Sequence, residues 1–377
     1  MTRQSRYPGL SDLQARAARR LPRFVWDYLD SATGTGATAR RNRSELDRIR
    51  FTPSVLHGDI SPETSATLLG QTHPLPVGFA PVGMSGLIWP GAEHILARTA
   101  AKAGVPYTLS TVATKSPEDL ATDLGPHAWF QLYPPRDLDI LADLLERAET
   151  AGFTTLVLTV DVPAPSRRER QVRGGLTNPP KLTPRILWQT IQRPAWALAS
   201  AKAGLPRMRT LDPYIETRTA MASNEHAGYL LRTSPDWDYL DHLREAWTGP
   251  LIIKGVLDPE VVPRLQKAGA DALWISNHAG RQFDAAPAPI EALPAIRAAT
   301  DLPLILDGGL RSGLDILRAL ALGADFTMMG QPPHDALAAL GKEGPAHLLD
   351  ILQKDLIANM HQIGASSFAD LSARLRP

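Results

Sequence analysis

The chain has 377 residues, 44% of them hydrophobic, and a formal net charge of +1. This length suits one large α/β domain with insertions or two smaller domains, and the near-neutral charge argues against nucleic acid as the main partner. The sequence contains no cysteine, which excludes disulfides, thiolate catalysis, iron–sulfur clusters and cysteine-based zinc sites. These properties fit a globular protein of a reducing, cytoplasmic compartment.

The first 75 residues predict a helical cap. The basic N-terminus lacks the apolar core of a secretory signal, and residues 10–21 have the apolar spacing of an amphipathic helix. Further helices are predicted at 21–30, with Pro22 in the first turn, and at 40–49. Residues 57–75 are polar and are predicted to be a connection. Because no stretch of about 18 apolar residues occurs in the sequence, we predict no transmembrane helix.

From residue 76 onwards, apolar runs alternate with helical patterns. Continuous apolar strands between amphipathic helices are typical of a parallel sheet covered on both faces, and eight such units over about 250 residues have the size of a (β/α)8 barrel. We therefore predict an α/β fold in one domain, with a TIM barrel at 76–363 behind the N-terminal cap at 1–75. The predicted strands are 76–83, 105–111, 129–133, 155–161, 251–256, 272–278, 303–309 and 326–330.

A long insertion, residues 162–236, interrupts this alternation after the fourth strand. It is far longer than an ordinary connection and is rich in proline and arginine. Its part 186–203 is largely apolar, which fits a lid, an oligomer contact or a membrane-surface segment. Gln192, Arg193 and Pro194 interrupt this part, so we do not expect it to cross a bilayer.

Polar residues and glycines cluster where the predicted strands end. The carboxyl ends of the strands carry the active site of an α/β barrel, and a purely structural protein has no reason to collect such residues at one rim. The residues concerned are Gly83, Ser110, Gln131, Tyr133, Asp161, Lys254, His278, Asp307 and Gly330.

Two glycine-containing loops predict a phosphate site. Residues 307–313 (DGGLRSG) follow the seventh strand and residues 329–332 (MGQP) follow the eighth. Glycines let backbone N–H groups approach a phosphate, a helix N-terminus favours an anion, and these two loops are the usual phosphate site of such barrels. The alternative is a pair of tight turns without a ligand, and the pattern does not name the phosphate compound.

The loop after the sixth strand places a base, His278, close to a cation, Arg281. A carboxylate such as Asp161, if it hydrogen-bonds the imidazole, orients the ring and raises its pKa, as suits a general base. Arg281 and Arg168 offer planar forks for a substrate carboxylate, although the charged run around Arg168 also fits a solvated face. Lys254 ends an apolar strand and is expected to meet an anion; Schiff-base chemistry and stabilisation of a reduced flavin both stay open.

Motifs run along almost the whole chain. They are LPRFVWDYLDSATG (21–34), APVGM (80–84), TLSTVAT (108–114), QLY (131–133), LTVDVP (158–163), RRER (167–170), IIKGV (252–256), SNHAGRQ (276–282), LDGGLRSG (306–313) and ALALGA (319–324). On these motifs the chain resembles the FMN-dependent L-2-hydroxy-acid oxidases and dehydrogenases, such as glycolate oxidase, L-lactate dehydrogenase and mandelate dehydrogenase. The resemblance implies FMN as the cofactor, no metal, and two-electron oxidation of an (S)-2-hydroxy acid to a 2-oxo acid.

The resemblance also implies a role for each matching residue. His278 would be the base that acts on the α-carbon or the hydroxyl of the substrate, with Asp161 as its partner. The substrate-binding residues would be Tyr28, Tyr133, Arg168 and Arg281. The residues that would hold the flavin and its phosphate are Pro81, Val82, Gly83, Ser110, Gln131, Thr159, Lys254, Ser276, Asp307, Gly309, Arg311, Gly330 and Gln331. Lys254 would stabilise negative charge near N1 of the ring.

Three residues depart from the family pattern. Gln331 stands where most members have arginine, which predicts weaker retention of FMN. Ala279 replaces a more common glycine, which matters if the backbone there needs a positive φ. Val112 replaces a bulky aromatic residue and predicts a wider substrate pocket, while Gly83 is the small residue typical of the dehydrogenase branch. Gly83, together with RRER (167–170) and the closing segment LLDILQKDLIANMHQIGA (348–365), favours a dehydrogenase for lactate or a larger, mandelate-like acid.

Alternatives stay open at this point. The chain could be an oxidase that passes electrons to O2 and releases H2O2, another FMN- or phosphate-binding barrel enzyme such as an isomerase or lyase, or a non-catalytic flavin-binding protein. The sequence does not choose between a quinone, another protein and O2 as electron acceptor. The resemblance favours a homotetramer, and residues 186–203 are compatible with peripheral contact at the inner membrane face.

Overall fold

The computed structural model describes residues 3–176, 181–214 and 234–376. The strands, in chain order, are β1 (Arg50–Phe51), β2 (Ala66–Leu68), β3 (Gln71–His73), β4 (Val77–Phe79), β5 (Tyr107–Ser110), β6 (Ala128–Leu132), β7 (Thr155–Thr159), β8 (Leu251–Val256), β9 (Ala272–Ile275), β10 (Leu304–Leu306), β11 (Phe326–Met329) and β12 (Leu375–Arg376).

The strands β4 to β11 close into one parallel barrel, in the order β10-β11-β4-β5-β6-β7-β8-β9. This confirms the predicted TIM barrel, and every barrel strand lies inside its predicted range except β6, which begins one residue early, at Ala128. The strands are shorter than predicted where polar residues follow them: β9 ends at Ile275 and β10 at Leu306. The residues beyond these ends leave the ladder and form the loops of the rim.

Helices surround the barrel and form the cap. In chain order they are α1 (Arg3–Arg6), α2 (Leu10–Arg20), α3 (Arg23–Leu29), α4 (Ala37–Arg48), α5 (Ser85–Ile88), α6 (Ala92–Ala103), α7 (Pro117–Leu120), α8 (Leu138–Thr150), α9 (Glu169–Gly174), α10 (Pro184–Ile191), α11 (Pro194–Ala203), α12 (Trp237–Ala246), α13 (Val262–Lys267), α14 (Pro289–Ala299), α15 (Gly313–Ala321), α16 (Gln331–Leu340) and α17 (Gly344–Ile363). The sequence reading missed α16, because two prolines and a histidine open it.

The barrel interior is filled by large side chains, among them Trp129, Trp274 and Phe326. The polar connection predicted at 57–75 is wrong in part, because it contains the antiparallel hairpin β2–β3. This hairpin covers the amino end of the barrel, where the His73 ring lies 5.2 Å from that of Phe326. Its strands have three residues each, too few for an alternating pattern to be read from the sequence.

The insertion docks on the cap through the helices α10 and α11. The single apolar segment predicted at 186–203 is two helices, because Pro194 begins the second one. The Trp196 ring packs edge-to-face on Phe24 of α3 at 5.7 Å, and its Nε1 donates to the Leu87 and Ile88 carbonyls. Through Trp196 the insertion is thereby packed on helix α3 and hydrogen-bonded to helix α5.

Candidate active site

A cavity of about 880 Å³ lies at the carboxyl end of the barrel, beneath the cap. Of the residues predicted from the sequence, those lining it are Tyr28, Pro81, Val82, Gly83, Tyr133, Arg168, Lys254, His278, Arg281, Asp307, Gly309, Arg311, Gly330 and Gln331. Ser110, Gln131, Thr159 and Ser276 are buried at the ends of their strands. The fold therefore brings the predicted residues to one rim, with Asp161 joined to the cavity wall through His278.

The side chain of Asn277 holds the His278 loop, through one hydrogen bond within the loop and one to the cap. The Asn277 side chain accepts from Gly280 N at 3.2 Å and from Asn42 Nδ2 at 2.9 Å, which ties the loop to helix α4 of the cap. His278 and Ala279 both have φ of 54°, a left-handed conformation that is strained for a residue with a Cβ. The loop therefore keeps the conformation that favours glycine even though Ala279 occupies it.

Asp161, His278 and Lys254 form a charged cluster. His278 Nδ1 lies 3.1 Å from Asp161 Oδ1, and Lys254 Nζ lies 3.8 Å from Asp161 Oδ2 and 3.6 Å from Asp307 Oδ2. Lys254 Nζ also donates to Ser276 Oγ at 3.0 Å. The expectation that Lys254 meets an anion is thus confirmed in geometry, by two carboxylates.

Burial and these neighbours set the protonation states. Burial favours the neutral acid of Asp161, but Lys254 and His278 outweigh it and lower the pKa of that carboxyl. Burial lowers the pKa of His278; Asp161 raises it, and Lys254 lowers it further. The expectation of a raised His278 pKa is therefore wrong in its net direction, because desolvation of the imidazolium outweighs the carboxylate. A neutral imidazole at neutral pH is ready to accept a proton.

The two predicted substrate arginines differ in how they are held. The Arg281 guanidinium donates to the backbone carbonyls of Leu29, at 3.0 Å, and Tyr28. Burial, with repulsion from Arg168, lowers the pKa of Arg281 to about 10. Arg168 lines the cavity with its Nε 2.9 Å from Ser166 Oγ. Two positive groups at one wall favour an anionic ligand.

The charged run around Arg168 is divided between three environments. Arg167 is exposed, whereas Arg170 binds Asp27 at 2.7 Å and Asp30 at 2.8 Å. The solvated-face reading of this run is therefore wrong for Arg168 and Arg170. The run fastens the insertion to helix α3 and presents one arginine to the cavity.

Two tyrosines complete this end of the cavity. Tyr28 Oη donates to the Gly83 carbonyl at 2.7 Å, and its ring stacks near the Arg281 guanidinium at 5.6 Å. Burial raises the pKa of both Tyr28 and Tyr133. Both phenols are consequently neutral hydrogen-bond donors near neutral pH.

Buried polar atoms at the strand ends lack partners within the protein. Ser110 Oγ donates to Gln131 Oε1 at 2.8 Å, but Gln131 Nε2 and Thr159 Oγ1 are buried without a hydrogen-bond partner among the described residues. Buried polar groups are normally satisfied. These atoms therefore indicate a polar ligand beside β6, β7 and Lys254.

The opposite end of the cavity is formed by the loops after β10 and β11. Gly308 and Gly309 have φ of 97° and 91°, and a Cβ on Gly309 would lie 3.1 Å from Asn42. Gln331 Nε2 donates to Asp30 Oδ1 at 3.0 Å. The loops thus close tightly against the cap, and the amide at position 331 is used on a carboxylate of the chain itself.

Comparison with known proteins accounts for this combination of barrel, cap and rim. Residues 17–376 match the FMN-dependent dehydrogenase family. The chain belongs to the FMN-dependent dehydrogenases. It is 39% identical over 369 residues to an L-lactate dehydrogenase of Xanthomonas axonopodis pv. citri, and 38% identical over 368 residues to one of Xanthobacter autotrophicus; each match covers 96% of this chain and 94% of the relative.

Solved structures agree with the family assignment. A structure of (S)-mandelate dehydrogenase, described as a monotopic membrane protein, has a TM-score of 0.92 at 34% identity and covers 98% of both chains. Mandelate oxidase has a TM-score of 0.81 at 34% identity, again over 98% of both chains. This dehydrogenase is therefore FMN-dependent and oxidises 2-hydroxy acids, as the sequence predicted.

The rim of this FMN-dependent dehydrogenase fits its cofactor. The unpartnered Gln131 Nε2 and Thr159 Oγ1 match the polar edge of a flavin ring, and Lys254 can balance negative charge there. The glycine loops after β10 and β11 leave room for a phosphate. The assignment of each residue to the cofactor stays a prediction.

Sequence reasoning missed three residues of this rim. Asn42 binds Asn277 with a reciprocal pair of side-chain hydrogen bonds, Asp30 binds Gln331, and Asp335 lines the cavity. Asp30 lies inside the quoted motif at 21–34 but was given no role. Asp335 could have been noticed as a carboxylate on the core-facing side of a helix that follows the eighth strand.

Proposed function

We propose that this dehydrogenase oxidises the (S)-2-hydroxy acid lactate, or a larger, mandelate-like acid, and passes the electrons to an acceptor other than O2. The observation that carries the proposal is the His278–Asp161 pair, 3.1 Å apart, in a cavity wall shared with Arg168 and Arg281. A base beside two guanidinium groups is what abstraction of a proton from an anionic hydroxy acid requires. The acceptor would be a quinone or another protein.

His278 would take the proton of the substrate hydroxyl or α-carbon through Nε2. Among the described residues, Asp161 binds the ring through Nδ1, which leaves Nε2 for the substrate. Asp161 would keep the ring oriented and stabilise the imidazolium after proton transfer. Bound FMN supplies the two-electron acceptor for this oxidation.

The remaining roles follow from the positions in the cavity. Arg281 and Arg168 would hold the substrate carboxylate, with Tyr28 beside them, and Tyr133 would hydrogen-bond the hydroxyl. The flavin would lie on the backbone of residues 81–83. The side chains beneath and around it would be Ser110, Gln131, Thr159, Lys254 and Ser276, and its phosphate end would face Asp307, Gly309, Arg311, Gly330 and Gln331.

The choice of a larger acid is supported by Val112 and Gly83. Both line the cavity, and a Cβ on Gly83 would lie only 2.7 Å from Val112 Cγ2. The two residues therefore pack against each other, and the cavity is wider beside them because Val112 is shorter than the aromatic side chain of the family pattern. We therefore expect a mandelate-sized substituent to fit on this side.

Anaerobic mixing with a panel of 2-hydroxy acids tests the proposal. Lactate or mandelate should bleach the visible absorbance of the flavin, and admission of air should restore it slowly. Rapid recovery with release of H2O2 would make the protein an oxidase. Turnover without bleaching, trapped by borohydride, would indicate a lyase instead.

We also propose that helices α10 and α11 bind an anionic membrane surface. No helix in the described part of the chain has the length and apolarity to cross a bilayer. The outward face of α10 carries Trp188 and Ile191, which are 62% and 68% exposed, and α11 exposes Leu198. Residues 181–209 contain six cations and no acidic residue, namely Lys181, Arg185, Arg193, Lys202, Arg207 and Arg209. Arg207 and Arg209 pair with Asp212 and Asp119, so the other four are the cations that would face a lipid headgroup. Each cation near such a surface contributes about 1 kcal/mol.

Vesicle sedimentation tests this contact. The protein should sediment with phosphatidylglycerol vesicles and much less with phosphatidylcholine vesicles. The double variant Trp188→Ser/Ile191→Ser should lose binding. The control Val55→Ser/Leu56→Ser should keep it, because these two residues are even more exposed but lie outside the insertion. Equal loss in both variants would refute the assignment to the insertion. A peripheral position on the cytoplasmic membrane face would follow from binding, and assembly as a tetramer stays a prediction.

A further inference from the structure

The phosphate end of the cavity is poor in hydrogen-bond donors. Helix α16 begins at Gln331, and its next two residues, Pro332 and Pro333, have no N–H to offer. The Gln331 amide donates to Asp30 Oδ1 at 3.0 Å. Two of the first three backbone donors of a helix N-terminus are therefore missing, and position 331 supplies no cation.

Asp335 lies one turn into α16 and lines this end of the cavity. The residue is only 5% exposed, and its Oδ1 is buried without a hydrogen-bond partner among the described residues. Asp30 lies close enough to act on its charge, while the Gln331 amide donates to Asp30 Oδ1 at 3.0 Å. An ionised carboxylate in such a position would be destabilised by several kcal/mol, so the neutral acid is favoured.

The groups around Asp335 reinforce the neutral form. Burial raises the pKa of Asp335 well above its usual range, Asp30 raises it further, and Arg311 acts in the opposite direction. On the same helix, burial lowers the pKa of His334 to about 4, and its two ring nitrogens contact Gly330 O and Ser85 Oγ. His334 is therefore neutral and does not compensate a charge on Asp335.

Among the described residues, the helices packed on α16 place no cation that acts on Asp335; the cation that does is Arg311, in the loop after β10. Helix α2 lines the cavity with the uncharged Ser11 and Gln14, and its arginines Arg16 and Arg20 donate to carbonyls at the far end of α16. In α6, Glu93 is bound to Thr114. In α17, His347 contacts the Tyr7 carbonyl and Asp355 accepts from Gly313 N.

We propose that Asp335, as a neutral carboxylic acid, donates a hydrogen bond to the phosphate of FMN and so replaces the cation missing at position 331. The inference rests on the proposed placement of the phosphate at the loops after β10 and β11. A hydrogen bond from a carboxylic acid to an anion is short and strong. Asp335 is then a residue that determines the preference for a phosphorylated flavin.

The proposal fixes the direction in which the affinity for FMN changes with pH. A bound phosphate raises the pKa of Asp335 further, so the complex retains a proton that the free protein loses as pH rises. The affinity for FMN is therefore constant at low pH and falls as pH rises through the pKa of the free protein. A site based on cations would behave in the opposite way, because the phosphate gains its second negative charge near pH 6.

Flavin titration tests the proposal. The full-length chain, stripped of flavin, is titrated with FMN and with riboflavin from about pH 5.5 to about pH 8.5, and quenching of flavin fluorescence gives each Kd. Riboflavin has the same ring without the phosphate, so the ratio of the two Kd values isolates the phosphate contribution. In the wild type this preference for FMN should fall as the pH rises through the pKa of Asp335 in the free protein, by roughly tenfold once the acid has ionised.

Three variants separate the donor from the charge. Asp335→Asn keeps a donor that does not titrate, so its preference for FMN should not fall with pH, and at the alkaline end it should bind FMN about tenfold more tightly than the wild type. Asp335→Ala should show a low preference throughout. The control Asp238→Asn, at an exposed carboxylate of α12, should follow the wild type.

Two results would overturn the inference alone. One is a wild-type preference that rises with pH together with weaker FMN binding in Asp335→Asn at the alkaline end. The other is equal binding of FMN and riboflavin at every pH. Failure to bind either flavin would overturn the proposed function as well.

Discussion

The two ends of the cavity solve the problem of buried charge in different ways. At the end that holds the proposed base, the charges of Asp161 and Lys254 offset each other at 3.8 Å, and Asp161 lies 3.1 Å from the neutral His278 ring. At the end formed by the loops after β10 and β11, the Asp30 carboxylate accepts from the neutral amide of Gln331, and the buried Oδ1 of Asp335 has no hydrogen-bond partner among the described residues. The charges of the first arrangement balance within the protein. The second arrangement would be completed only by a proton on Asp335 and a bound anion.

This difference shows where a motif predicts geometry well. The catalytic residues constrain one another, so a sequence match to them leaves little freedom in the positions of the side chains. At the proposed phosphate end, glutamine stands at position 331 in place of the arginine of the family pattern, and its amide donates to Asp30. This single exchange changes the surroundings of Asp335. The following predictions test the contrast, beginning with the largest effect.

Removal of the base separates the two ends most sharply. In His278→Ala, flavin reduction by the best substrate should slow by about 10²- to 10⁴-fold, because the proton has no acceptor. The flavin content should stay unchanged, since the phosphate end is untouched. Rapid-mixing absorbance measurements without oxygen give both quantities. Bleaching at the wild-type rate would refute the assignment of His278 as the base.

The pH profile reports the balance at the catalytic end. Because burial lowers the pKa of His278 and the base must be neutral, kcat/KM should fall only as pH drops below the ordinary histidine value of about 6.5. Asp161→Asn removes a group that raises this pKa, so the fall of kcat/KM on the acidic side should shift to lower pH. The loss of orientation should lower the plateau by about tenfold or more. An acidic fall of kcat/KM at the same pH in Asp161→Asn and in the wild type would contradict the coupling of Asp161 to His278.

Restoring a cation would make the phosphate end resemble other members of the family. Gln331→Arg should tighten FMN binding by roughly tenfold, because a guanidinium at position 331 would offer the phosphate a charge-assisted hydrogen bond that the amide bound to Asp30 does not supply. Gln192→Arg adds the same charge at an exposed position of the insertion and serves as the control. Titration of the flavin-free chain gives the Kd values. Equal affinity in the wild type and Gln331→Arg would refute the predicted weakness.

The smallest effect concerns the backbone of the catalytic loop. Ala279 has φ of 54°, and Ala279→Gly relieves strain of about 1 kcal/mol but adds freedom to the unfolded chain. We expect a change in unfolding free energy below about 1 kcal/mol and unaltered flavin reduction. In the adjacent position, Gly280→Ala should destabilise clearly, because its Cβ would lie 2.6 Å from Ala39 N. Denaturant unfolding compares the two, and the opposite ranking would contradict this account.

The sequence alone determined the barrel and its rim. Eight apolar strands alternate with helices, and this periodicity reflects a parallel sheet that is buried on both faces. Since parallel strands share their carboxyl end, residues as distant in sequence as Gly83 and Gly330 were predicted to meet. The family motifs added the cofactor and the reaction. The hairpin β2–β3 and helix α16 were not predicted, because short strands and a first turn rich in proline carry weak local signals.

Only the tertiary structure decided what each charge meets. Asp161 and His278 are far apart in the chain, and their 3.1 Å contact arises because β7 and β9 end at the same rim on either side of β8. The same holds for the division of the run around Arg168 and for the burial of Asp335. A pKa depends on desolvation and on neighbours in space, and neither quantity is encoded in local pattern. The fold could thus be read from periodicity, while the protonation of its active site required the packed molecule.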